Sequence, residues 1–250
     1  MLASRGRWCS RRALVRGKGT VEPTETAKLT PKAVLTRQRI LDAALQLFAA
    51  HGYEETTMRD IATAAGCSLG LTYRYFASKE DLVLELYRWL AVQLEEQVNL
   101  LPATTIADRF QHLMRALLAV MAPHRLTLGA LFGAALNPRS RAGLFGAEGV
   151  EIRRCARAAY VDLVAAAEDA PRPSQVGDLA TLLYGLQLAL VLFWLQDLSS
   201  GTGRTEELLQ FVHQVLRRIR PLLRLPLIAQ TLARLIQIIG PLLGQDDTAA

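Results

Sequence analysis

The sequence predicts an all-α fold: a three-helix head carrying a helix-turn-helix, followed by a larger helical-bundle domain. Three observations predict it. From Pro31 onward apolar residues recur at helical spacing, and no segment sustains the period-two alternation of a strand. Hydroxyl residues stand three positions ahead of an acid at Thr57/Asp60, Ser78/Asp81 and Thr105/Asp108, the spacing with which a helix N-terminus is capped. Gly52, Gly66, Pro102, Pro123, Pro138, Pro171 and Pro221 fall between the periodic stretches, where they end helices.

The elements follow in order. The first helix aligns Leu41, Ala44, Leu45 and Phe48 and stops at His51-Gly52. The second opens at Thr57, carries Ile61 and Ala62, and ends at Gly66; a short third runs from Ser68 to about Phe76. Ser78 starts a fourth that runs toward Pro102. Helices over about 105–123, 125–136 and 150–167 come next, with Gly143, Gly146 and Gly149 forming a loop before the last of these. Pro171 and Pro173 break the chain ahead of a long apolar helix over about 174–198, and the turn 199–203 leads to a helix over about 205–220. Beyond Pro221, Ile228, Leu232, Leu235, Ile236 and Ile239 make one apolar stripe. The expected domains are a basic disordered arm (1–33), the head (34–94, motif 57–76), an effector-binding and dimerisation domain (95–220), and an extra amphipathic helix and tail (221–250).

Composition excludes several classes. Of 250 residues 51% are apolar and 21% charged, which excludes a wholly disordered or collagen-like chain. The formal charge of +6 lies entirely in the first 35 residues, which hold eight basic side chains against Glu22 and Glu25. The head from Thr36 to Leu94 holds six basic and seven acidic side chains, so charge alone does not mark it for nucleic acid. Cys9, Cys67 and Cys155 are odd in number and in no C-x-x-C pair, against a disulfide framework or zinc site and toward a cytoplasmic protein. The Arg-rich start has no apolar core of a signal peptide. The apolar stretch 179–195 is interrupted by Thr181, Gly185 and Gln187 and bounded by Asp178 and Asp197, which reads as a buried helix, so no membrane partner is expected. His51, His112, His124 and His213 have no partner at metal-ligand spacing, and no nucleophile elbow, Walker loop or H-E-x-x-H occurs. The chain is therefore read as having no catalytic residues, no metal and no cofactor.

The motif of interest is 57–76, two short helices joined at Gly66. Its second helix reads Ser68-Leu69-Gly70-Leu71-Thr72-Tyr73-Arg74-Tyr75-Phe76. Tyrosines, an arginine and the following Lys79 suit a face that meets phosphates and base edges. As ordinary structural residues, Phe76 would belong to the head's core, Cys67 would be a small buried side chain, and Arg59 would pair with Glu55 one turn earlier.

These landmarks resemble the TetR family of bacterial transcriptional regulators. The resemblance is carried by Arg39-Ile40-Leu41-Asp42-Ala43-Ala44 through Phe48, Gly52-Tyr53, Thr56-Thr57, Ile61-Ala62, Ala65-Gly66, Tyr73-x-Tyr75-Phe76 and Ser78-Lys79-Glu80-Asp81-Leu82. It implies that Thr57, Tyr73, Tyr75 and Lys79 contact phosphates, that Arg59, Ser68, Leu69, Leu71 and Arg74 approach base edges, and that Gly70 lets the helix sit close to the duplex. Leu71-Thr72 and Leu69 depart from the more polar residues common in the family, which shifts base reading toward thymine methyls, with Arg59 or Arg74 on guanine. The resemblance implies a repressor that binds a palindromic double-stranded operator as a homodimer built on the last two long helices and that a small hydrophobic ligand releases by linkage. Phe110, Met114, Met121, Phe132, Phe145 and Tyr160 are the expected lining of a hydrophobic effector pocket. The competing reading is a helical protein-interaction module derived from such a regulator and without DNA-binding activity.

Overall fold

The computed structural model describes residues 30–136, 143–219 and 226–245; most of the basic arm expected over 1–33, and the chain break expected at Pro221, lie outside them. Among the described residues all regular structure is helical. The helices are α1 (Pro31–His51), α2 (Met58–Ala64), α3 (Leu69–Tyr75), α4 (Lys79–Asn99), α5 (Ile106–Met121), α6 (Arg125–Leu136), α7 (Val150–Ala165), α8 (Pro173–Gln196), α9 (Gly203–Ile219) and α10 (Pro226–Ile239). Among the described residues two compact units are formed, the first from residues 30–89 together with His124–Gly149, the second from Leu90–Pro123 and the chain from Val150 on.

The first unit grows from short-range signals. Thr30 caps α1 by accepting the Ala33 N–H at 3.3 Å, and Pro31 sits in the first turn, where its missing donor costs nothing. Ile40, Ala44 and Phe48 line one stripe of α1 and are fully buried, as are Ile61 of α2 and Leu82 and Val83 of α4. Each such large side chain contributes roughly 1.5–3 kcal/mol by leaving water. The chain leaves α1 through Gly52 at φ 87° and ψ 163°, a backbone region closed to residues with a Cβ. Tyr53 then turns back to pack its ring 5.4 Å from that of Phe48.

Residues 124–149, which the sequence reading gave to the second domain, cluster here with the first unit. Helix α6 packs on α1: Leu128 and Leu131 are buried, and the Thr127 hydroxyl donates to the Leu45 carbonyl at 3.1 Å. That pairing joins residues 82 positions apart, and no local spacing encodes it.

The second unit is a helical bundle in which α7 and α8 pack along their lengths and α5 lies against α9. Phe110, Leu113 and Met114 of α5, Tyr160, Leu163 and Val164 of α7, and Ala180 of α8 are completely buried. The long apolar α8 owes its composition to this packing, which buries Leu179, Leu183, Tyr184, Leu190 and Trp194. Arg109 is a charged residue inside the unit. Its guanidinium donates to the carbonyls of Leu163 at 2.9 Å, Leu101 at 3.3 Å and Pro102, and burial pushes its pKa down. Helix α5 is tied to α9 by His213 Nε2 against Asp108 Oδ1 at 2.7 Å and by Arg115 against Glu206.

Between α8 and α9, Asp197 organises the turn. One carboxylate oxygen accepts from the Ser199 N–H and hydroxyl, and the other from the Thr205 N–H and hydroxyl, at 2.6–2.9 Å. These hydroxyl donors hold its pKa far below the usual carboxylate range. Past residue 225, α10 packs on α8, Ile236 is buried, and Leu243 is buried beside Gly185. Leu235, Ile238 and Leu242 of this C-terminal segment are exposed. Of the stripe expected over 228–239, Ile228 lies outside the residues whose side chains are described, while Ile236 is inside and Leu235 outside.

Candidate nucleic-acid interface

The candidate interface starts from the two caps that set α2 and α3. Thr57 Oγ1 accepts the Asp60 N–H at 3.2 Å, while Asp60 Oδ2 accepts the Thr57 N–H at 2.9 Å and its hydroxyl at 2.6 Å. Both orphan amides are thereby satisfied, and the hydroxyl and amide of Thr57 lower the Asp60 pKa. The turn after α2 closes by two bonds, Cys67 N–H to the Ala62 carbonyl at 2.9 Å and Gly66 N–H to the Thr63 carbonyl at 3.1 Å. That pattern requires a left-handed residue between them, and Gly66 supplies it at φ 61°. Ser68 then caps α3 through its Oγ, which accepts the Leu71 N–H at 3.2 Å.

Seven residues are too few for an isolated helix, so α3 is held by its inner side. Thr72 is fully buried, its hydroxyl returned to the Ser68 carbonyl at 3.2 Å, and Phe76 is buried beneath the Arg37 guanidinium, 4.7 Å from the ring centroid. Arg37 is paired in turn with Glu85 at 2.9 Å. What remains faces outward. Ser68, Gly70, Tyr73 and Arg74 are exposed, and Leu69, Leu71 and Tyr75 are half-buried. A Cβ added at Gly70 would meet no atom within 4 Å, so nothing inside the protein demands glycine there. On α2, Arg59 is exposed and makes no ion pair with Glu55 among the described residues.

Three placements differ from the expectations. Cys67 is half-buried instead of a core residue, and its sulfur lies 3.4 Å from the Arg39 guanidinium. This brings Arg39, read from the sequence only as part of the first helix, against the turn. A 28-residue separation leaves no local signal for it. Lys79, expected at a phosphate, is turned inward: its ammonium donates to the carbonyls of Tyr53 at 2.8 Å, Glu54 at 3.1 Å and Thr56 at 3.3 Å. The six expected pocket residues do not share one unit. Phe110, Met114, Met121 and Tyr160 are buried in the core of the second, with the Phe110 and Tyr160 rings 6.3 Å apart, whereas Phe132 and Phe145 belong to the first and are half-buried.

Two capped helices meeting at a left-handed glycine, with the second helix open on its outer side, define a helix-turn-helix protein. Residues 40–86 match the family described as bacterial regulatory proteins of the tetR family. The head of the chain is thus similar to that of the TetR family of bacterial regulatory proteins. Over 68 residues it is 43% identical to the HTH-type transcriptional repressor AcnR of Corynebacterium efficiens, covering 27% of this chain and 36% of that one. Over 67 residues it is 42% identical to the HTH-type transcriptional repressor KstR2 of Mycobacterium tuberculosis, covering 25% and 34%. The match therefore spans about a third of the length of these relatives. The fold extends the likeness further. The TetR transcriptional regulator from Nitrosomonas europaea superposes with a TM-score of 0.56 at 19% identity, over 72% of this chain and 97% of that one. NalD, the secondary repressor of the MexAB-OprM multidrug efflux pump in Pseudomonas aeruginosa, does so with 0.52 at 23%, over 74% and 97%.

Proposed function

We propose that the chain is a cytoplasmic, sequence-specific DNA-binding transcriptional regulator, a repressor that binds a palindromic operator as a homodimer and is released by a small hydrophobic ligand. The observation that carries this reading is the outer face of the helix-turn-helix. Tyr73 and Arg74 stand open beside a glycine that the protein itself does not need. Thr57, Tyr73 and Tyr75 supply phosphate contacts, and Arg59, Ser68, Leu69, Leu71 and Arg74 face base edges, with Gly70 allowing close approach.

The homodimer is supported by the outer surfaces of α8 and α9, where Leu192, Phe193 and Phe211 are exposed; one head alone makes too few contacts for a specific site. The effector reading has thinner support. The second unit contains an open cleft of about 210 Å³ lined by Thr105, Ile106, Ala107, Asp169, Leu179, Leu216 and Arg217, smaller than a usual ligand pocket. A hydrophobic effector at Phe110, Met114, Met121 and Tyr160 has to open that packing. It acts by favouring a conformation whose heads no longer match the operator.

Selection of bound duplexes from genomic fragments tests the reading. A recovered inverted repeat whose binding is lost in Arg74→Ala supports it, and recovery of no common sequence overturns it.

A further inference from the structure

We propose that Arg39 of α1 is a DNA-contacting residue of the head, holding a backbone phosphate beside the turn 66–68 at the start of α3. The proposal rests on the DNA-binding reading above and adds to it a helix that the motif 57–76 does not include. Of the arginines of residues 36–94, Arg37 and Arg88 both pair with Glu85, at 2.9 and 3.4 Å. Arg39, Arg59 and Arg74 are exposed and make no ion pair among the described residues. Arg59 and Arg74 stand on the two helices of the motif. Arg39 stands outside it in sequence, yet packing brings its guanidinium to the turn between those helices, with Nη2 3.4 Å from Cys67 Sγ.

That guanidinium keeps its donors for a partner outside the protein. Asp42, the one acidic residue of α1, stands a single turn further along the helix but accepts from Gln38 Nε2 at 2.8 Å. The Cys67 sulfur is a weak acceptor, and an arginine has five N–H donors. A phosphate is the stronger partner, since its oxygens match the planar fork of a guanidinium. Direction supports the same reading. Arg37 and Arg39 are two residues apart, which turns them roughly 200° apart around the helix. Arg37 lies over the Phe76 ring at the far end of α3 and is spent on Glu85. Arg39 reaches the near end, where Gly66, Ser68 and Gly70 are exposed. From Ile61 to Lys79 the chain holds no acidic residue, so neither the turn nor α3 adds a charge that repels phosphate. The backbone beneath Arg39 is itself fixed, because the Cys67 N–H closes the turn on the Ala62 carbonyl at 2.9 Å. A contact made there sets the register of the head on the duplex and strengthens binding without reading sequence.

The test uses the full chain, the duplex recovered in the selection above and a second duplex of scrambled sequence. Affinity for both is measured for wild type, Arg39→Gln and Arg39→Lys between about 50 and 200 mM salt, and thermal unfolding is followed in the free proteins. Arg39→Gln is expected to weaken binding to both duplexes about tenfold and to flatten the logarithmic salt slope by about 0.9, with the unfolding midpoint unchanged. Arg39→Lys keeps the slope, because the charge remains, and recovers most of the affinity. An Arg39→Gln protein with the wild-type slope overturns the proposal alone, whatever its stability. A loss of affinity confined to the recovered duplex overturns it as well, since a phosphate contact does not discriminate between sequences. A wild-type chain that binds neither duplex overturns the DNA-binding reading, and the proposal with it.

Discussion

The helix-turn-helix of the first unit and the bundle of the second are held by different kinds of polar bond. In the helix-turn-helix, the caps join residues three apart: Thr57 with Asp60 and Ser68 with Leu71. In the second, the polar bonds cross the bundle, from Arg109 to the Leu163 carbonyl, from Asp108 to His213 and from Arg115 to Glu206. The first pattern leaves a helix face unoccupied, because the caps use backbone groups and point along the chain. The second consumes its polar groups internally. A head built to display side chains and a bundle built to stay closed therefore call for opposite uses of the same residue types.

Substitutions can break this contrast. The largest effect is expected from Phe110→Ala, which empties a fully buried site and destabilises by about 3–5 kcal/mol, read by denaturant unfolding. Arg109→Met comes next. It leaves the carbonyls of Leu163, Leu101 and Pro102 without their donor and is expected to cost roughly 3 kcal/mol. An unchanged melting temperature would mean that water replaces the guanidinium freely.

Recognition lies in the middle of the range. Arg74→Ala is expected to lose about 1–3 kcal/mol of DNA binding with the unfolding midpoint unaltered, since the side chain is exposed and touches nothing that folding needs. A matching loss of stability would place Arg74 in the head's structure instead.

Asp197 offers a pH test within the second unit. Its folded pKa is depressed by Ser199 and Thr205, so its contribution is complete above the unfolded value of about 3.9 and is lost as pH falls below that toward the folded value. Melting temperatures of wild type should fall more steeply than those of Asp197→Asn as pH drops below about 5. Parallel profiles would show that the turn does not depend on the charge.

The smallest expected effect is also the sharpest. Gly70→Ala should stabilise the free protein by about 0.5–1 kcal/mol, because the added Cβ meets open space and alanine favours the helix. It should nevertheless weaken DNA binding if the helix approaches the duplex closely there. A stabilised variant that binds as tightly as wild type would remove Gly70 from the interface.

Legibility in the sequence followed the range of the interactions. The capping pairs at Thr57/Asp60 and Thr105/Asp108 and the stop at Gly66 were readable because each is a local rule with a fixed offset. The burial of Phe76 and the exposure of Arg59 also agree with simple helical faces. The inward turn of Lys79 was not readable, since its partners lie 23–26 residues earlier and are backbone atoms, which no residue type announces. The division of the six expected pocket residues between the units was not readable for a related reason. Aromatic and Met spacing marks a buried stripe without saying which unit buries it, and Phe132 and Phe145 went to the head through the α1–α6 pairing.

The sequence by itself determined the helical class, the helix boundaries and the helix-turn-helix, because hydrophobic period, caps and glycine turns act within a few residues of one another. Tertiary structure alone decided that α6 joins the head, that Arg109 and His213 bind the bundle together, and that the one lysine at the start of α4 faces the protein. Those outcomes depend on which backbone carbonyls and apolar stripes meet once distant segments have packed, and that information is spread over the whole chain and not carried by any window of it.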